Sequence, residues 1–508
     1  MIEHRDVKNS GKEVHVELHE LSAIELATAV RRREVTAADV LARTLERAAT
    51  VDGAFVHLAP EHARAQAQKL DDDAAAGAEM PPFAGVPCPV KDLSQVKGLP
   101  FAAGSAVMAG HTAEVDDGVA TLLERAGTLM IGKTTTPEFG LPCYTEPATG
   151  APARTPWDPR RTAGGSSGGA ALAVAAGVVP VAHGSDGGGS IRIPAACCGV
   201  VGMKPSRGLV SDGPIGVPGI GLVSHGVLTR TVRDTAAFLD VLSARWPGDA
   251  PSPVSGSLLA AVDAAVVGGP SAGSLPAGER PAYPGEVPPG PRGLRIGVLT
   301  EPLNCDDAEI HPEALAAVAR ASESLRALGH EVLAAPRPMT GADWMSFMPL
   351  WSVGAASVPI PPEFESYLMP LTRYLREMGR GFTGAQYAGA TAAMQGLTRQ
   401  IAVAWAGFDA ILTPTLSGPP ALPEDLQLAD PAADFEAQKR FTPWTSVWNM
   451  TGAPSISVPL HRADVDGITL PFGVMLGGTA IGQDARLLAL AVQLEAADPW
   501  PLFAPTVR

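Results

Sequence analysis

The chain has 508 residues, of which 46% are hydrophobic, so it can bury a core of substantial size. It carries 38 basic and 53 acidic residues, a formal net charge of -15, and no run of lysine or arginine interrupts this acidity. The charge balance argues against nucleic-acid and anionic-membrane partners, and it favours a small molecule. The N-terminus lacks an apolar core with a cleavage site, and no stretch of about 18 apolar residues occurs, which predicts a cytoplasmic protein.

The cysteines are odd in number and have no C-x-x-C spacing. We therefore expect buried free thiols, with neither a disulfide framework nor a metal site. The residues are Cys88, Cys143, Cys197, Cys198 and Cys305.

Two amphipathic helices are predicted near the start of the chain. Ser22 and Thr36 each begin a capping box with an acidic residue three positions later, and apolar residues follow at helical spacing up to about Ala49. From about 84 to 240 the sequence is rich in glycine, and β-like runs such as TLMIG and VVPVAHG alternate with helical runs such as DGVATLLERAG and GGAALAVAAG. This alternation indicates an α/β fold.

A segment dense in proline, glycine and alanine, from about 245 to 293, is predicted to be a long surface excursion. Beyond it, LRIGVLT and HEVLAA are predicted strands on either side of the helical run HPEALAAVARASESLRALG. The α/β pattern thus resumes after the excursion. We expect the sheet to continue across the excursion, which need not separate two domains.

Residues 338–408 contain many large apolar side chains, and two interpretations are open. In the first, the segment is an insertion that packs on itself. In the second, it lines a ligand pocket, because ligand sites are mostly apolar and methionine adapts to varied ligands. The side chains are Trp344, Met345, Phe347, Met348, Trp351, Phe364, Tyr367, Met369 and Tyr374.

Two formal motif matches carry little weight. GTLMIGKT, residues 127–134, fits the phosphate-binding pattern G-x-x-x-x-G-K-[ST], but TLMI is itself a strong strand candidate and leaves no open phosphate loop. GGSSG, residues 164–168, fits the G-x-S-x-G nucleophile elbow, but the preceding TPWDPRRTA is a poor strand. That elbow also needs a histidine base, whereas His183 and His225 lie in no recognisable context and are expected to be structural.

Ser190 follows three glycines in HGSDGGGSIRIP, and this stretch could be a flexible joint, a phosphate cradle or a nucleophile beneath backbone N–H groups. Two further segments accompany it, GVPCPVKDLSQVKG with Lys91 and RTAGGSSGGAALAVAAG with Ser166. Together the three segments closely resemble the amidase signature family of serine hydrolases. The flanks IGKTTTPEFG, DAILTPT and NMTGAPSISVPL extend the resemblance over nearly the whole chain, and VAHGSDGGGSIRIPA is similar to bacterial nylon-oligomer hydrolases and aryl acylamidases.

The resemblance implies a single domain over 1–508 with the amidase-signature fold, an α/β fold whose mixed central β-sheet is flanked on both faces by helices. It also implies a Ser-cisSer-Lys triad. Neutral Lys91 would take a proton from Ser166, and Ser166 would relay one from Ser190 as Ser190 attacks a carbonyl carbon. Burial must then lower the pKa of the lysine from about 10.4 toward neutrality, at a cost of about 3 to 4 kcal/mol. The apolar neighbours in PCPVKDL would provide that burial. By the same resemblance the Gly165–Ser166 peptide bond would be cis.

The resemblance also implies roles for residues around the triad. Gly187, Gly188 and Gly189 would turn sharply and point N–H groups at a developing oxyanion, which is worth about 3 to 4 kcal/mol per donor in comparable sites. Lys133 and Lys204 also lie in family motifs, where a structural or solvated role is expected. The residues that match family positions bracing the site by hydrogen bonds are Ser167, Asp186 and Arg192.

The implied function is hydrolysis of a C–N bond beside a carbonyl through an acyl-enzyme on Ser190, with no metal or cofactor. Bulky or aryl amides are the expected substrates, with aryl carbamates (urethanes) and esters as further ones, because the apolar segment 338–408 favours a bulky apolar group. The protein would act as a monomer or homodimer. The expected pocket residues are Cys143, Tyr144, Trp344, Phe347, Met348, Trp351 and Tyr367.

Two alternatives stay open at this point. One is the glutaminase subunit of a tRNA-dependent amidotransferase, against which the apolar pocket wall and the lack of an evident polar site for a glutamine α-carboxylate weigh. The other is a catalytically inactive binding or scaffold protein. The presence of Lys91, Ser166 and Ser190 together argues against that second alternative.

Overall fold

The computed structural model describes residues 17–217, 219–266 and 293–505, together with the backbone of two short strands before them. Within these residues the strands form three sheets. Strands β1 to β13 are Lys8–Asn9, Lys12–Glu13, Phe55–Leu58, Val90–Lys91, Gly132–Thr134, Val181–Asp186, Val201–Lys204, Ser224–Thr229, Arg295–Val298, Glu331–Ala334, Ala410–Pro414, Ser455–Val465 and Ile468–Gly477.

The largest sheet has eight strands in the order β10-β9-β11-β13-β12-β7-β8-β6. Strands β10, β9 and β11 pair in parallel, whereas the pairs from β11 to β6 are antiparallel, so the sheet is mixed as expected. A second sheet has the order β3-β5-β4. It adjoins the β6 edge of the large sheet, where the His183 N–H donates to the Pro89 carbonyl over 3.0 Å.

Helices flank the mixed sheet. Helix α6 packs against β7, β12 and β13, α7 against β8, and α9 against β11 to β13. Within the described residues, no helix combines the length and apolar character that crossing a bilayer requires. Helices α1 to α17 are Ala23–Arg31, Ala37–Ala48, Pro60–Ala75, Gly118–Arg125, Gly168–Ala175, Arg192–Cys198, Val232–Leu242, Leu258–Val266, Pro312–Ala327, Gly341–Trp344, Phe347–Ala356, Pro370–Arg380, Gly384–Ala404, Pro423–Leu426, Pro431–Phe441, Ser446–Thr451 and Asp484–Ala497.

The two expected opening helices are present as α1 and α2, with the complete predicted capping box at Ser22 and only its first hydrogen bond at Thr36. Ser22 Oγ accepts from the Glu25 N–H over 3.2 Å, and the Glu25 carboxylate accepts from the Ser22 N–H over 2.9 Å. Thr36 Oγ1 accepts from the Asp39 N–H over 3.0 Å. These bonds satisfy N–H groups that have no partner inside the helix.

The strand expected at TLMIG begins later than its apolar residues suggest. Strand β5 starts at Gly132, and Leu129 forms only an isolated bridge with Pro87. The backbone before β5 is nevertheless bonded, since the Leu129 N–H donates to the Val86 carbonyl over 2.8 Å and the Ala59 N–H donates to the Ile131 carbonyl over 2.8 Å. This bonded segment is not an open phosphate loop.

Part of the expected surface excursion at 245–293 packs into the core instead. Helix α8 begins at Leu258, whose N–H donates to the Asp240 carboxylate over 2.7 Å. Apolar residues at three- and four-residue spacing give this helix a buried face, formed by Leu258, Val262 and Ala265. Residues 267–292 of the excursion lie outside the described residues.

Small residues bring α6 close to the central strands. A Cβ built at Gly202 would lie 2.6 Å from the Cβ of Ala195, and one built at Gly473 would lie 2.9 Å from the Cβ of Ala196. Larger side chains at these glycines would push α6 away from β7 and β13. The close packing holds the start of α6, and with it the turn that carries Ser190, against the sheet.

Candidate active site

Lys91 ends β4 and is completely buried. Its Nζ is hydrogen bonded to Ser166 Oγ at 2.8 Å, to the Ser185 carbonyl at 3.1 Å and to Ser185 Oγ at 3.2 Å. Burial lowers the pKa of Lys91 to about 7, although the charge of nearby Asp186 opposes this shift. An amine with this pKa is partly neutral at neutral pH and can accept a proton.

Ser166 lies in the loop before α5, and the Gly165–Ser166 peptide bond is cis. The loop packs tightly against the chain on two sides. A Cβ built at Gly165 would lie 2.7 Å from the Tyr144 carbonyl oxygen, and one built at Gly140 would lie 3.0 Å from Ser166 Oγ. Gly140 therefore leaves the space that the Ser166 hydroxyl occupies, and Gly165 lets the loop pack against the Tyr144 backbone.

Ser190 lies in the turn between β6 and α6, and only 7% of its surface is exposed. Its backbone carbonyl accepts from the Ser167 N–H over 3.1 Å, which joins this turn to the loop that carries Ser166. Since Ser166 also bonds to Lys91, the fold brings together all three residues of the expected triad.

Residues 187–189, which we call the glycine turn, precede Ser190. The Gly189 N–H donates to Asp186 Oδ1 over 2.8 Å, so this N–H already has a partner. In the part of the chain that the structure describes, no protein acceptor engages the N–H of Gly187 or Gly188. Of the three expected oxyanion donors, Gly189 thus shapes the turn, and the other two are free to bind a substrate oxygen.

Asp186 and Arg192 form a fully buried ion pair beneath the glycine turn, with Arg192 Nη2 and Nε at 2.8 and 2.9 Å from the two carboxylate oxygens. Asn449 Nδ2 donates to the same carboxylate over 2.9 Å. Burial alone would raise the pKa of Asp186, but the charge and hydrogen bonds of Arg192, with the bond from Asn449, hold this pKa well below its usual range. The ionised carboxylate fixes the turn by also accepting from the N–H groups of Gly189 and Ile191.

Three residues that bond to the site, Ser185, Thr445 and Asn449, were not predicted from the sequence. The Ser185 carbonyl accepts from Ser167 Oγ over 3.3 Å as well as from the triad lysine. The Thr445 carbonyl accepts from Arg192 Nη1 over 2.6 Å. Asn449, which bonds to the buried carboxylate, lies in the flanking segment NMTGAPSISVPL that supports the family resemblance, and this was the one available signal.

The two histidines and two lysines that were expected to be structural contact other protein groups through hydrogen bonds, ring stacking or an ion pair. His183 and His225 stack with ring centroids 5.3 Å apart, and their facing nitrogens are 3.1 Å apart. Burial lowers the pKa of His183 well below its usual value. Lys133 is buried and pairs with Asp92 at 2.7 Å, and Lys204 Nζ donates to the carbonyl of the next residue over 2.7 Å.

Most of the segment 338–408 is helical, and its inner aromatic residues belong to a hydrophobic cluster that also includes Trp444, Trp448 and Met475 from outside the segment. Trp344, Phe347 and Met348 are only 2%, 3% and 5% exposed. Their low exposure shows that the three side chains are packed in this cluster, and the expectation that they line the substrate pocket stays a prediction. Helix α11, which carries Phe347 and Met348, packs against α12 and α13, whereas Trp344 faces a later part of the chain, since its Nε1 donates to Ser446 Oγ over 2.8 Å.

The four remaining residues that were expected to line the pocket differ in exposure and in their distance from the glycine turn. Trp351 is half-buried and lies beside the glycine turn, since a Cβ built at Gly187 would lie 3.2 Å from its ring. Tyr367 is 64% exposed. Cys143 and Tyr144 are buried, and the Tyr144 hydroxyl donates to a carboxylate of α15 over 2.7 Å. Of this set, Trp351 thus lies beside the glycine turn, and the Tyr144 backbone lies against the loop that carries Ser166.

Residues 39–488 match the family model described as Amidase, so the chain belongs to the amidase signature family and is an enzyme that hydrolyses amides. A putative amidase of Synechocystis sp. is 37% identical, over 94% of this chain and 88% of its own. The 6-aminohexanoate-cyclic-dimer hydrolase of Paenarthrobacter ureafaciens is 34% identical, over 84% of this chain and 85% of its own.

Solved structures agree with this assignment. A 6-aminohexanoate cyclic dimer hydrolase complexed with substrate matches with a TM-score of 0.83 and 29% identity, covering 97% of this chain and 100% of that one. A bacterial aryl acylamidase of the same family matches with a TM-score of 0.78 and 25% identity, covering 95% of this chain and 97% of that one. The expected family and fold are thus confirmed.

Proposed function

We propose that this enzyme cleaves bulky or aryl amides, and also aryl carbamates and aryl esters, through an acyl-enzyme on Ser190. The observation that carries the proposal is the buried Lys91 amine, whose Nζ is 2.8 Å from Ser166 Oγ. Burial lowers the pKa of this lysine to about 7. A base is most effective when its pKa is near the working pH, so this amine suits the removal of a hydroxyl proton.

In the acylation step, Ser190 Oγ attacks the substrate carbonyl carbon while its proton passes to Ser166 and the Ser166 proton passes to the neutral Lys91 amine. The N–H groups of Gly187 and Gly188 donate to the oxygen that becomes negative. The C–N bond breaks as a proton returns through the same relay to the leaving nitrogen. Water then attacks the acyl ester by the same route, which releases the acid and restores the Ser190 hydroxyl.

The substrate class is supported by two named proteins and by one side chain. One relative is a 6-aminohexanoate-cyclic-dimer hydrolase, and one structural neighbour is an aryl acylamidase. In this chain Trp351 is half-buried beside the glycine turn. A half-buried indole ring beside the turn that would hold the reacting carbonyl favours a bulky apolar group on the substrate.

A substrate panel on the purified chain tests the proposal. It comprises p-nitroacetanilide, an aryl carbamate, a p-nitrophenyl ester, acetamide and free glutamine. We expect kcat/KM for the anilide to exceed that for glutamine by about tenfold or more, because an apolar wall does not compensate the charged α-carboxylate of glutamine. Glutamine as the best substrate would overturn the substrate class.

Labelling with a fluorophosphonate probe tests the nucleophile separately. The native enzyme should be labelled, and Ser190→Ala should lose both label and turnover. Ser357→Ala is the matched control, since Ser357 is exposed at the end of α11 and its hydroxyl bonds only within that helix. Turnover retained by Ser190→Ala would show that the acyl-enzyme assignment is wrong.

A further inference from the structure

Three aromatic rings form a continuous stack that ends at the glycine turn. The ring centroids of Trp344 and Phe347 are 5.0 Å apart with planes inclined by 28°, and those of Phe347 and Trp351 are 5.4 Å apart with planes inclined by 24°. Trp344 is buried, and its Nε1 donates to Ser446 Oγ over 2.8 Å. Of the three rings, only Trp351 keeps appreciable exposed surface.

The outer ring of the stack contacts the glycine turn at one residue. A Cβ built at Gly187 would lie 3.2 Å from Cζ3 and 3.5 Å from Cη2 of Trp351, and 3.3 Å from Cγ2 of Val223. A Cβ built at Gly188 would have no atom within 4 Å. Neither glycine has a φ in the left-handed region, so alanine suits the backbone at both positions. The two positions therefore differ in side-chain space and not in backbone strain.

The glycine turn and the aromatic stack are also hydrogen bonded to two consecutive residues, Thr445 and Ser446. Thr445 Oγ1 donates to the Gly188 carbonyl over 2.7 Å. The next residue, Ser446, accepts the hydrogen bond from Trp344. A movement of the outer ring would thus be transmitted to the turn directly at Gly187 and through the stack to this pair of residues.

We propose that Trp351 is a specificity-determining residue: a flat aryl or conjugated group attached to the reacting carbonyl stacks on its indole ring. The proposal rests on the proposed function, because the N–H groups of the glycine turn hold the carbonyl oxygen of the same substrate. The ring is kept in place by the stack behind it, so a planar group gains a face-to-face or offset contact without ordering a mobile side chain. A small or branched group gains less from this contact. Gly187 contributes to this arrangement, because a Cβ there would lie 3.2 Å from the Trp351 ring and would require the ring or the turn to shift by a few tenths of an ångström.

Two substrate pairs separate the acyl side from the leaving-group side. Benzoyl and acetyl p-nitroanilide differ only in the acyl group, whereas acetanilide and acetamide differ only in the leaving amine. For each pair, the selectivity ratio is kcat/KM for the flat substrate divided by kcat/KM for the small one. Trp351→Ala is expected to lower this ratio by about tenfold in at least one pair. The pair that responds identifies which side of the substrate lies against the ring.

The glycine variants provide the matched comparison. Gly187→Ala should lower the same ratio as Trp351→Ala, whereas Gly188→Ala should keep the native ratio even where it slows both substrates. The double variant Gly187→Ala/Trp351→Ala should have the ratio of Trp351→Ala alone, because the two changes act through one contact. Met345→Ala, at a 50% exposed position of the same segment, should behave as the native enzyme.

Several outcomes would overturn the inference. It fails if Trp351→Ala changes all four substrates by the same factor, or if Gly188→Ala shifts the ratio as much as Gly187→Ala does. If Trp351→Ala does not fold, Trp351→Leu and the glycine pair decide the question. Fluorophosphonate labelling separates this failure from that of the proposed function: a labelled, active enzyme without a ratio change contradicts only the role of Trp351, whereas a native enzyme that cleaves none of the amides contradicts the proposed function.

Discussion

Lys91 Nζ and Ser166 Oγ are 2.8 Å apart, and the polar partners of this buried lysine are hydroxyl and carbonyl oxygens. Lys133, on the neighbouring strand β5, is equally buried but bonds to the carboxylate of Asp92 at 2.7 Å. A carboxylate partner favours the charged form of a lysine, whereas neutral oxygens do so far less. The contrast explains why Lys91, and not Lys133, suits the role of a base.

The first prediction concerns pH. The pKa of Lys91 is lowered from 10.5 to about 7 by burial, so the neutral amine predominates above pH 7 and is lost as the pH falls. The value of kcat/KM for an aryl amide should therefore rise by about tenfold per pH unit below neutrality and level off above it. A pH profile of the native enzyme and of His183→Gln measures this. A rising limb that disappears in His183→Gln would indicate a histidine base instead.

The second prediction concerns the triad as a unit. Ser190→Ala should abolish turnover, and Ser166→Ala or Lys91→Met should each lower kcat by roughly 10⁴-fold, because the relay fails when any member is missing. The double variant Ser166→Ala/Lys91→Met should be no slower than either single one. Steady-state rates on p-nitroacetanilide provide the measurement.

Ser185 offers the control for this series. Its Oγ lies 3.2 Å from Lys91 Nζ, yet it has no part in the proposed relay. Ser185→Ala should reduce the rate by about tenfold or less, since it removes one hydrogen bond and leaves the proton path intact. Near-native amide hydrolysis by Ser166→Ala would show that the relay assignment is wrong.

The sequence predicted Lys91, Ser166 and Ser190 as a triad because each of them lies in a contiguous motif of the family that the chain resembles. Ser166 and Ser190 are both surrounded by glycines, and Lys91 lies among apolar residues, so the local residue types already indicate tight turns and a buried amine. The helices that begin after Ser22 and Thr36 were predictable for the same reason, because capping involves residues only three positions apart.

Partners from distant parts of the chain were not predictable. Asn449 bonds to Asp186 across 263 positions, and neither local periodicity nor composition relates these two residues. Trp344 and Trp351 illustrate a second limit, since both lie in the same apolar segment but one is core and the other borders the site. A hydrophobic sequence pattern predicts that a side chain is buried, but it does not distinguish a residue of the packed core from one in a pocket wall.

The third prediction concerns the buried ion pair. Asp186→Asn should lower the free energy of unfolding by about 3 to 5 kcal/mol, because it leaves the Arg192 charge buried without a counter-ion. Urea unfolding measures this change. Glu46→Gln is the control, since Glu46 pairs with Arg43 at 3.0 Å with both side chains more than half exposed, at 64% and 55%. We expect it to change stability by less than about 1 kcal/mol. Equal effects of the two substitutions would contradict the role assigned to the buried pair.

The fourth prediction concerns Gly189, which has a φ of +137°. A Cβ at this position would lie 2.5 Å from Thr445 Oγ1, so Gly189→Ala must displace either the turn or the threonine that bonds to the Gly188 carbonyl. Either movement turns the oxyanion donors away from the substrate. We expect kcat to fall by about 10²-fold or more, as when an oxyanion donor is removed.

Gly467→Ala separates backbone strain from this steric effect. Gly467 has a φ of +80° and no atom within 4 Å of a built Cβ, so alanine there should cost about 1 kcal/mol of stability and leave kcat unchanged. Comparing kcat and urea unfolding for the two variants therefore isolates the contact with Thr445. If Gly189→Ala turned over p-nitroacetanilide as fast as Gly467→Ala, the turn would tolerate displacement, and the assignment of its N–H groups to the oxyanion would fail.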